Sequence, residues 1–452
     1  MSGGSAPDQR AAPSSSGAGL SRGSLPTLLG IVFIDMLGFA MIIPLIPFYA
    51  ERFGASASVV GVLVASYAVA QLIGAPILGG LSDRVGRKPV LMASLIGTSV
   101  GFLLFGLAGS LWLLFVARSL DGLTGGNVSV AQAYIADVSA PEKRARNFGF
   151  IGAAFGIGFI VGPALGGFLS RFGLSTPAFF AAGLAALNVG AVIIFLPESL
   201  PDRAGRHEGG ETEEARAEPG RAFETAEAPD DGAAARGRAR GGLSEGVAAT
   251  EAEGWGHLRA GNRAGGLLWT RFWYMLAFVT YALIFALWAQ YHLGVDAETA
   301  GYLLAYVGVL ILIVQGGLVG WVSKHFREGP VLLTCIALLA IPLAAWSQVD
   351  SIPALLIVQI PLSVAAGLFG ATMNSALSQA VPAQEVGSVL GIGTSLESVT
   401  RALSPTLGGI LLDRAGPWAP GAFGATVLAL LLPFAVRALK RKRPGGDSAG
   451  AF

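Results

Sequence analysis

Residues 79–91 read Gly-Gly-Leu-Ser-Asp-Arg-Val-Gly-Arg-Lys-Pro-Val-Leu and crowd Asp83, Arg84, Arg87 and Lys88 into one short turn between two long apolar segments. Each flanking segment is long enough to cross a bilayer as a helix, which takes about 20 mostly apolar residues. A charged turn that short between two spanning helices has to lie at a membrane surface, and its arginines and lysine select the cytoplasmic one. The rest of the chain obeys the same constraint. Of its 452 residues, 53% are hydrophobic and 13% charged, against roughly 25% charged in a soluble domain. One buried core cannot absorb that excess, so lipid is the solvent for most of the chain. The 64 glycines fit this setting, because helices in lipid associate by close backbone approach.

Twelve apolar spans are predicted, at 26–48, 58–80, 90–108, 111–136, 148–170, 176–197, 267–291, 298–322, 330–348, 353–378, 388–412 and 418–438. Residues 198–266 are rich in Glu, Arg, Ala and Gly, lack apolar periodicity and read as a disordered linker. The expected organisation is a disordered N-terminus (1–25), a six-helix bundle (26–197), the linker (198–266), a second six-helix bundle (267–438) and a basic tail (439–452). Arg84, Arg87, Lys88, Lys143, Arg144, Arg146, Lys324, Arg327 and the run Lys440-Arg441-Lys442-Arg443 all fall on one side; Arg52, Arg171 and Arg414 fall on the other. That asymmetry predicts cytoplasmic termini and a cytoplasmic linker.

The halves read as copies. A shift of 241 lays Gly79 on Gly320, Ser82 on Ser323 and Pro89-Val90-Leu91 on Pro330-Val331-Leu332. A shift of 242 lays Pro163-Ala164-Leu165-Gly166-Gly167 on Pro405-Thr406-Leu407-Gly408-Gly409. Internal repeats of this kind are a common basis of transporter architecture. The charges were not copied: Asp83 falls on Lys324 and Arg87 on Glu328.

Five charges lie inside the spans: Asp35, Arg118, Asp121, Glu397 and Arg401. Each costs at least about 2.5–3.5 kcal/mol at a helix centre and so calls for a function or a partner. At 1.5 Å per residue, Asp35 and Glu397 lie about 14 Å from the cytoplasmic starts of their helices, and Asp121 about as far from the outer start of its own. Arg118–Asp121 and Glu397–Arg401 are spaced i,i+3 and i,i+4, so static ion pairs within one helix are one reading. Asp35 has no basic partner on its own helix. An acid without a partner in low dielectric favours its protonated form, which makes Asp35 the first candidate for proton coupling, with Glu397 and Asp121 beside it.

Net charge +1 points to no nucleic-acid partner, and the lone Cys335 excludes an intrachain disulfide. No cleavable signal peptide is evident, since the first apolar segment is too long for one. With no phosphate-binding loop, metal-spaced His/Cys cluster or catalytic triad in the sequence, no cofactor, metal or enzymatic activity is expected.

Several of these stretches together resemble the signature motifs of one family. The loop at 79–91 is similar to motif A of the major facilitator superfamily, with Ser82 where alanine is usual. Leu114–Gly122 resembles motif B, with Asp121 where glutamine is common. Gly158-Phe159-Ile160-Val161-Gly162-Pro163-Ala164-Leu165-Gly166-Gly167 resembles motif C, which marks antiporters. Asp35 followed by Pro44 and Pro47, the stretch Ala133–Val138, Glu142–Phe150, and Pro197-Glu198-Ser199 resemble the twelve-helix drug–proton antiporter branch and its tetracycline-resistance exporters. The resemblance implies an all-α membrane protein of twelve transmembrane helices in two six-helix repeats. It implies a monomeric, multi-pass protein of the bacterial inner membrane, with small-molecule, proton and lipid partners. Its work would be drug efflux, hence antibiotic resistance: export of amphipathic molecules in exchange for protons by alternating access. A proton-coupled uptake symporter and a membrane scaffold or receptor are the alternatives.

The resemblance also assigns roles. Asp83, Arg87 and Asp137 would latch the cytoplasmic side shut against span 11, with Gly79, Arg84, Gly86 and Lys88 completing the gate; fixing topology is the alternative role for these charges. The cavity would be lined by Phe39, Tyr67, Gln71, Asn127, Phe155, Phe159, Tyr281, Trp288, Tyr306 and Asn374. Where tetracycline exporters have a histidine in span 8 and an acid in span 9, this chain has neither, and Glu397 is the candidate replacement.

Overall fold

The computed structural model describes residues 24–139, 141–199, 262–382 and 384–440. Residues 1–23 of the expected disordered N-terminus, nearly all of the 198–266 linker, and Arg441-Lys442-Arg443 lie outside the described residues, while Ser24 and Leu25 already belong to the first helix. Among the described residues the secondary structure is helical. Span 1 is Leu25–Glu51, span 2 Ala57–Val85, span 3 Arg87–Gly106, span 6 Thr176–Phe195, span 7 Arg263–Leu293, span 8 Ala297–His325, span 9 Glu328–Trp346, span 10 Ile352–Ser378 and span 12 Ala419–Leu439. With span 5 (Pro141–Ser170), these make ten helices long and apolar enough to cross a membrane.

The other two have physical reasons to look different. Span 4 is split into Leu111–Thr124 and Asn127–Val138 by the pair Gly125-Gly126, so neither piece is long enough alone. Span 11, Val386–Ala415, is long enough but dilutes its apolar character with Glu397, Arg401 and a run of hydroxyl residues.

Two of the boundaries that differ from the sequence expectation bear on the sites. The charged turn is mostly helix: span 2 continues to Val85, span 3 starts at Arg87, and only Gly86 separates them. Gly86 has φ +118°, a conformation that costs other residues dearly. Span 7 starts four residues early, because the Asn262 side chain accepts the Gly265 amide at 2.6 Å and caps it.

The halves touch along two antiparallel seams, span 2 on span 11 and span 5 on span 8. The repeated Pro-x-Leu-Gly-Gly element makes both. A Cβ on Gly409 would strike the Ala57 carbonyl, and one on Gly61 the Pro405 carbonyl. In the other seam, a Cβ on Gly301 would lie 2.5 Å from the Pro163 carbonyl, and one on Gly167 2.7 Å from the Glu298 carbonyl. In lipid such backbone contact is the main source of helix affinity.

Both seams are confined to the end of the molecule opposite the basic loops. Gly79 lies 18 residues beyond Gly61, and Gly387 18 before Pro405, so each shares a face with the residue that makes contact (five turns at 3.6 residues each). Yet a Cβ on Gly79 or Gly387 would meet nothing within 4 Å, and the same holds for Gly149, five turns from Gly167. The helices therefore splay, and a cleft between the halves opens towards the basic end.

Polar contacts cap the closed end. The Asp413 carboxylate accepts the Ala57 amide at 2.9 Å and the Ser58 amide at 2.7 Å. Arg171 pairs with Glu298, and the Gln290 amide donates to Glu51.

Candidate functional site

At the closed end of the cleft, the first half assembles Asp35, Tyr67, Arg118, Asp121 and Asn127. On span 4, Arg118 and Asp121 lie one turn apart and pair at 2.9 Å, both buried. The Arg118 guanidinium also lies over the Tyr67 ring, 4.4 Å from its centroid, and 5.8 Å from that of Phe39. Close helix packing makes room: Gly122 abuts the Tyr67 backbone and Gly101 the Asp121 side chain. Asp35 is 7% exposed. Asn127 and Asp121 lie beside its carboxyl, and its Oδ1 has no hydrogen-bond partner. Gln71 donates to the Tyr67 hydroxyl at 3.1 Å and to the Gly125 carbonyl at 3.0 Å, tying span 2 to the break in span 4.

The second half builds a different cluster. Glu397 pairs with Arg271 of span 7, whose Nη2 lies 2.7 Å from Oε1, and not with Arg401 on its own helix. Arg271 Nη1 donates to Asn374 Oδ1 at 2.8 Å. The glycine at 393, one turn before Glu397, leaves space for the guanidinium: a Cβ there would lie 2.8 Å from Nη1. Sequence reasoning missed Arg271, because an expected start at 267 placed it at the membrane surface. Asn262 as an N-cap was the signal that sets it two turns inside. Arg401 forms no ion pair among the described residues and is exposed.

The basic end joins the implied gate residues within one half. Arg87 contacts Asp83 at 2.5 Å and Asp137 at 3.0 Å, and its Nη1 donates to Ser82 Oγ at 2.7 Å. Glu198, from the Pro-Glu-Ser triplet, accepts the Arg87 amide at 2.8 Å and the Lys88 amide at 3.0 Å, capping span 3. Lys88 Nζ reaches the Ile193 carbonyl at 3.1 Å, while Arg84 is exposed. The expected latch of Asp83 onto span 11 is not formed here, because spans 2 and 11 diverge before reaching it.

The motif-C glycines face two neighbours. Gly158, Gly162 and Gly166 pack on span 1 at Met36, Ala40 and Met41, while Gly167 serves the seam with span 8, where Pro163 also presents its carbonyl.

Of the residues expected to line the cavity, Phe39, Tyr67 and Phe159 come together, with ring centroids 4.9 Å and 6.1 Å from Phe39. Phe155 is half-buried nearby on span 5. Asn374 is accessible but engaged by Arg271. Three expectations are corrected. Trp288 is 0% and Tyr281 4% exposed. Both pack on Trp346 inside the second half, 4.2 and 5.0 Å between centroids. Trp288 donates to the Pro417 carbonyl at 2.9 Å and Tyr281 to Gln359. Tyr306 spends its hydroxyl on the Leu356 carbonyl at 3.2 Å, between spans 8 and 10. Aromatic residues at helical spacing satisfy a core as readily as a cavity, and here the polar tips decided. Cys335 is buried, as a packing residue would be.

The profile of the Major Facilitator Superfamily matches residues 28–334 and 272–451. The tetracycline resistance protein of class C from Escherichia coli is 41% identical over 172 residues, 37% of this chain. The matched stretch spans 43% of that relative's length. Multidrug resistance protein 2 from Bacillus subtilis (strain 168) is 25% identical over 85% of this chain and 88% of its own. Among solved structures, the human organic anion transporter MFSD10 superposes with TM-score 0.60 at 22% identity, covering 92% of this chain and 99% of that one. At that identity the likeness establishes the fold. Fold and hydropathy together make the chain a multi-pass integral membrane protein.

Proposed function

Because the chain belongs to the Major Facilitator Superfamily, we propose that it exports small amphipathic organic molecules in exchange for protons, by alternating access and without altering them chemically. It works as a monomer in the bacterial inner membrane, with the basic end and both termini cytoplasmic. The conformation described above is then the cytoplasm-open one.

One observation carries this reading. Asp35 is a buried carboxyl with an unpartnered oxygen, at the closed end of a cleft, beside an Arg118–Asp121 pair that already neutralises itself. A carboxylate stripped of water costs several kcal/mol unless something supplies positive charge. A proton or a cationic solute group can, and the two compete for one site, which is the requirement for exchange. The names of the relatives, tetracycline and multidrug resistance proteins, support export over uptake. One charge moving through 100 mV releases about 2.3 kcal/mol, which at 1.4 kcal/mol per tenfold sustains a gradient of roughly 40-fold.

Proteoliposomes with an imposed pH gradient and a panel of amphipathic solutes test the reading. Wild type is expected to move at least one solute against the proton flux, and Asp35→Asn to lose the coupling. Unchanged proton-coupled movement in the variant removes Asp35 from the mechanism. Solute that travels with the proton favours the uptake symporter instead.

A further inference from the structure

Among the described residues, six charged side chains lie inside the spans at this depth, and four are already matched: Arg118 with Asp121 and Arg271 with Glu397. Two are left, one on each half. Asp35 keeps a buried, unpartnered oxygen, and Arg401 forms no ion pair among the described residues.

Arg401 is exposed on the stretch of span 11 where it parts from span 2. It lies one turn before Pro405, whose carbonyl touches Gly61 of span 2, so it faces span 2 where the two helices begin to part. It lies close enough to the Tyr67 hydroxyl to act on it electrostatically, as do Asp35, Asp121 and Arg118. Pro405 also lacks the amide that would bond the Arg401 carbonyl, which lets span 11 bend away at this residue. The groups facing Asp35 are Asn127, Asp121 and Tyr67, and none supplies a positive charge of its own.

We propose that the transported molecule is amphoteric: its protonated amine takes the place of the proton on Asp35, its acidic group pairs with Arg401, and its apolar body lies against Phe39, Tyr67 and Phe159. This deepens the export reading and rests on it. A purely cationic solute leaves Arg401 unmatched inside the membrane. A purely anionic one leaves Asp35 to its proton and so cannot be exchanged for it. The amphoteric solute satisfies both orphans and bridges the two halves, which a solute must do to bias their movement.

The test uses the full chain in proteoliposomes and one fluorescent scaffold with three charge patterns. Nε-dansyl-lysine carries an amine and a carboxylate, its methyl ester only the amine, and its Nα-acetyl derivative only the carboxylate. Wild type is expected to move the amphoteric probe at least tenfold faster than either derivative under a pH gradient, the size of one charge-assisted hydrogen bond. Arg401→Gln is expected to remove that preference, dropping the amphoteric probe to the rate of the ester. An unchanged elution profile and melting temperature in detergent micelles show that the variant is folded, and Arg401→Lys is expected to restore part of the preference. Equal wild-type rates for ester and amphoteric probe overturn the inference and leave export standing, as does a preference that survives Arg401→Gln. Proton-driven movement of none of the three counts against both.

Discussion

Asp413 and Asp83 occupy the same step of the same Asp-Arg-x-Gly ending, on helices that run antiparallel to each other, and only Asp413 reaches across. Both endings close on a glycine of positive φ, Gly86 at +118° and Gly416 at +91°. Asp413 ends span 11 and caps the first amides of span 2, where the positive end of the helix dipole adds to the bonds. Asp83 ends span 2 at the opposite surface and holds Arg87 instead. The contact pairs 57/409 and 61/405 each add to 466, and that register carries Asp83 to the start of span 11. We propose that Asp83 is the equivalent cap of span 11 when the opposite end closes.

Removing the engaged cap should open the closed end. Hydrogen bonds to a charged acceptor are worth roughly 1.5–3 kcal/mol, so Asp413→Ala is expected to shift the conformational ratio tenfold or more. Spin labels at Arg52→Cys and Asp350→Cys, on opposite halves of that end, should gain a longer-distance population by pulsed electron resonance. An unchanged distance distribution would count against the cap.

Asp83→Ala should act in the opposite sense. The same label pair is expected to lose whatever long-distance population wild type shows, because the conformation in which Asp83 would cap span 11 is weakened. The Asp83–Arg87 pair is exposed on the Asp83 side and contributes under about 1 kcal/mol where it is. A loss of melting temperature without any change in distances would mark Asp83 as a purely structural residue.

The seams make a prediction about size rather than charge. Gly61→Val drives a side chain into the Pro405 carbonyl, and overpacking costs about 1–3 kcal/mol or more where backbone must move. Transport is expected to fail with the label pair held at long distance. Gly79→Val, on the same face, meets open space here and should leave the closed end intact.

In the Arg271–Glu397 pair the arginine is buried and the glutamate partly exposed, so Glu397→Met should cost up to roughly 3–5 kcal/mol by leaving a buried guanidinium uncompensated, and Arg271→Met less. The double Met variant should be less destabilised than either single variant, read as melting temperature in detergent micelles. Strict additivity would mean that the two side chains do not depend on each other.

Glu198→Ala tests a smaller effect. It strips a side-chain cap from the Arg87 and Lys88 amides, worth about 0.5–2 kcal/mol, and faster amide exchange is expected in the first turn of span 3. Exchange spreading through the whole span would instead mean that Glu198 holds the helix in place.

Much of this was legible beforehand because lipid makes local rules binding. Every backbone group in the bilayer must be satisfied within its own helix, so apolar length alone places the spans, and the Pro-x-Leu-Gly-Gly repeat already marks spans 5 and 11 as related. Arg118 and Asp121 could be paired on paper because i,i+3 neighbours on a helix lie within reach of each other. Glu397 and Arg401 satisfy the same spacing rule and do not meet, because Arg271 from another helix competes and Gly393 gives it room. No spacing within span 11 encodes that choice. Tyr281 and Trp288 show the same limit: one helix face points to a core or to a cleft depending on what packs there.

The sequence by itself determined the helices, their membrane setting, the duplication and which charges are too costly to be accidental, since each follows from composition and spacing along one chain. Tertiary structure alone decided that Glu397 is spent on Arg271, which end is closed and which aspartate is engaged. Those outcomes depend on contacts between helices hundreds of residues apart, where a single missing Cβ at Gly61 or Gly301 lets two backbones touch. They change with conformation while the sequence stays the same.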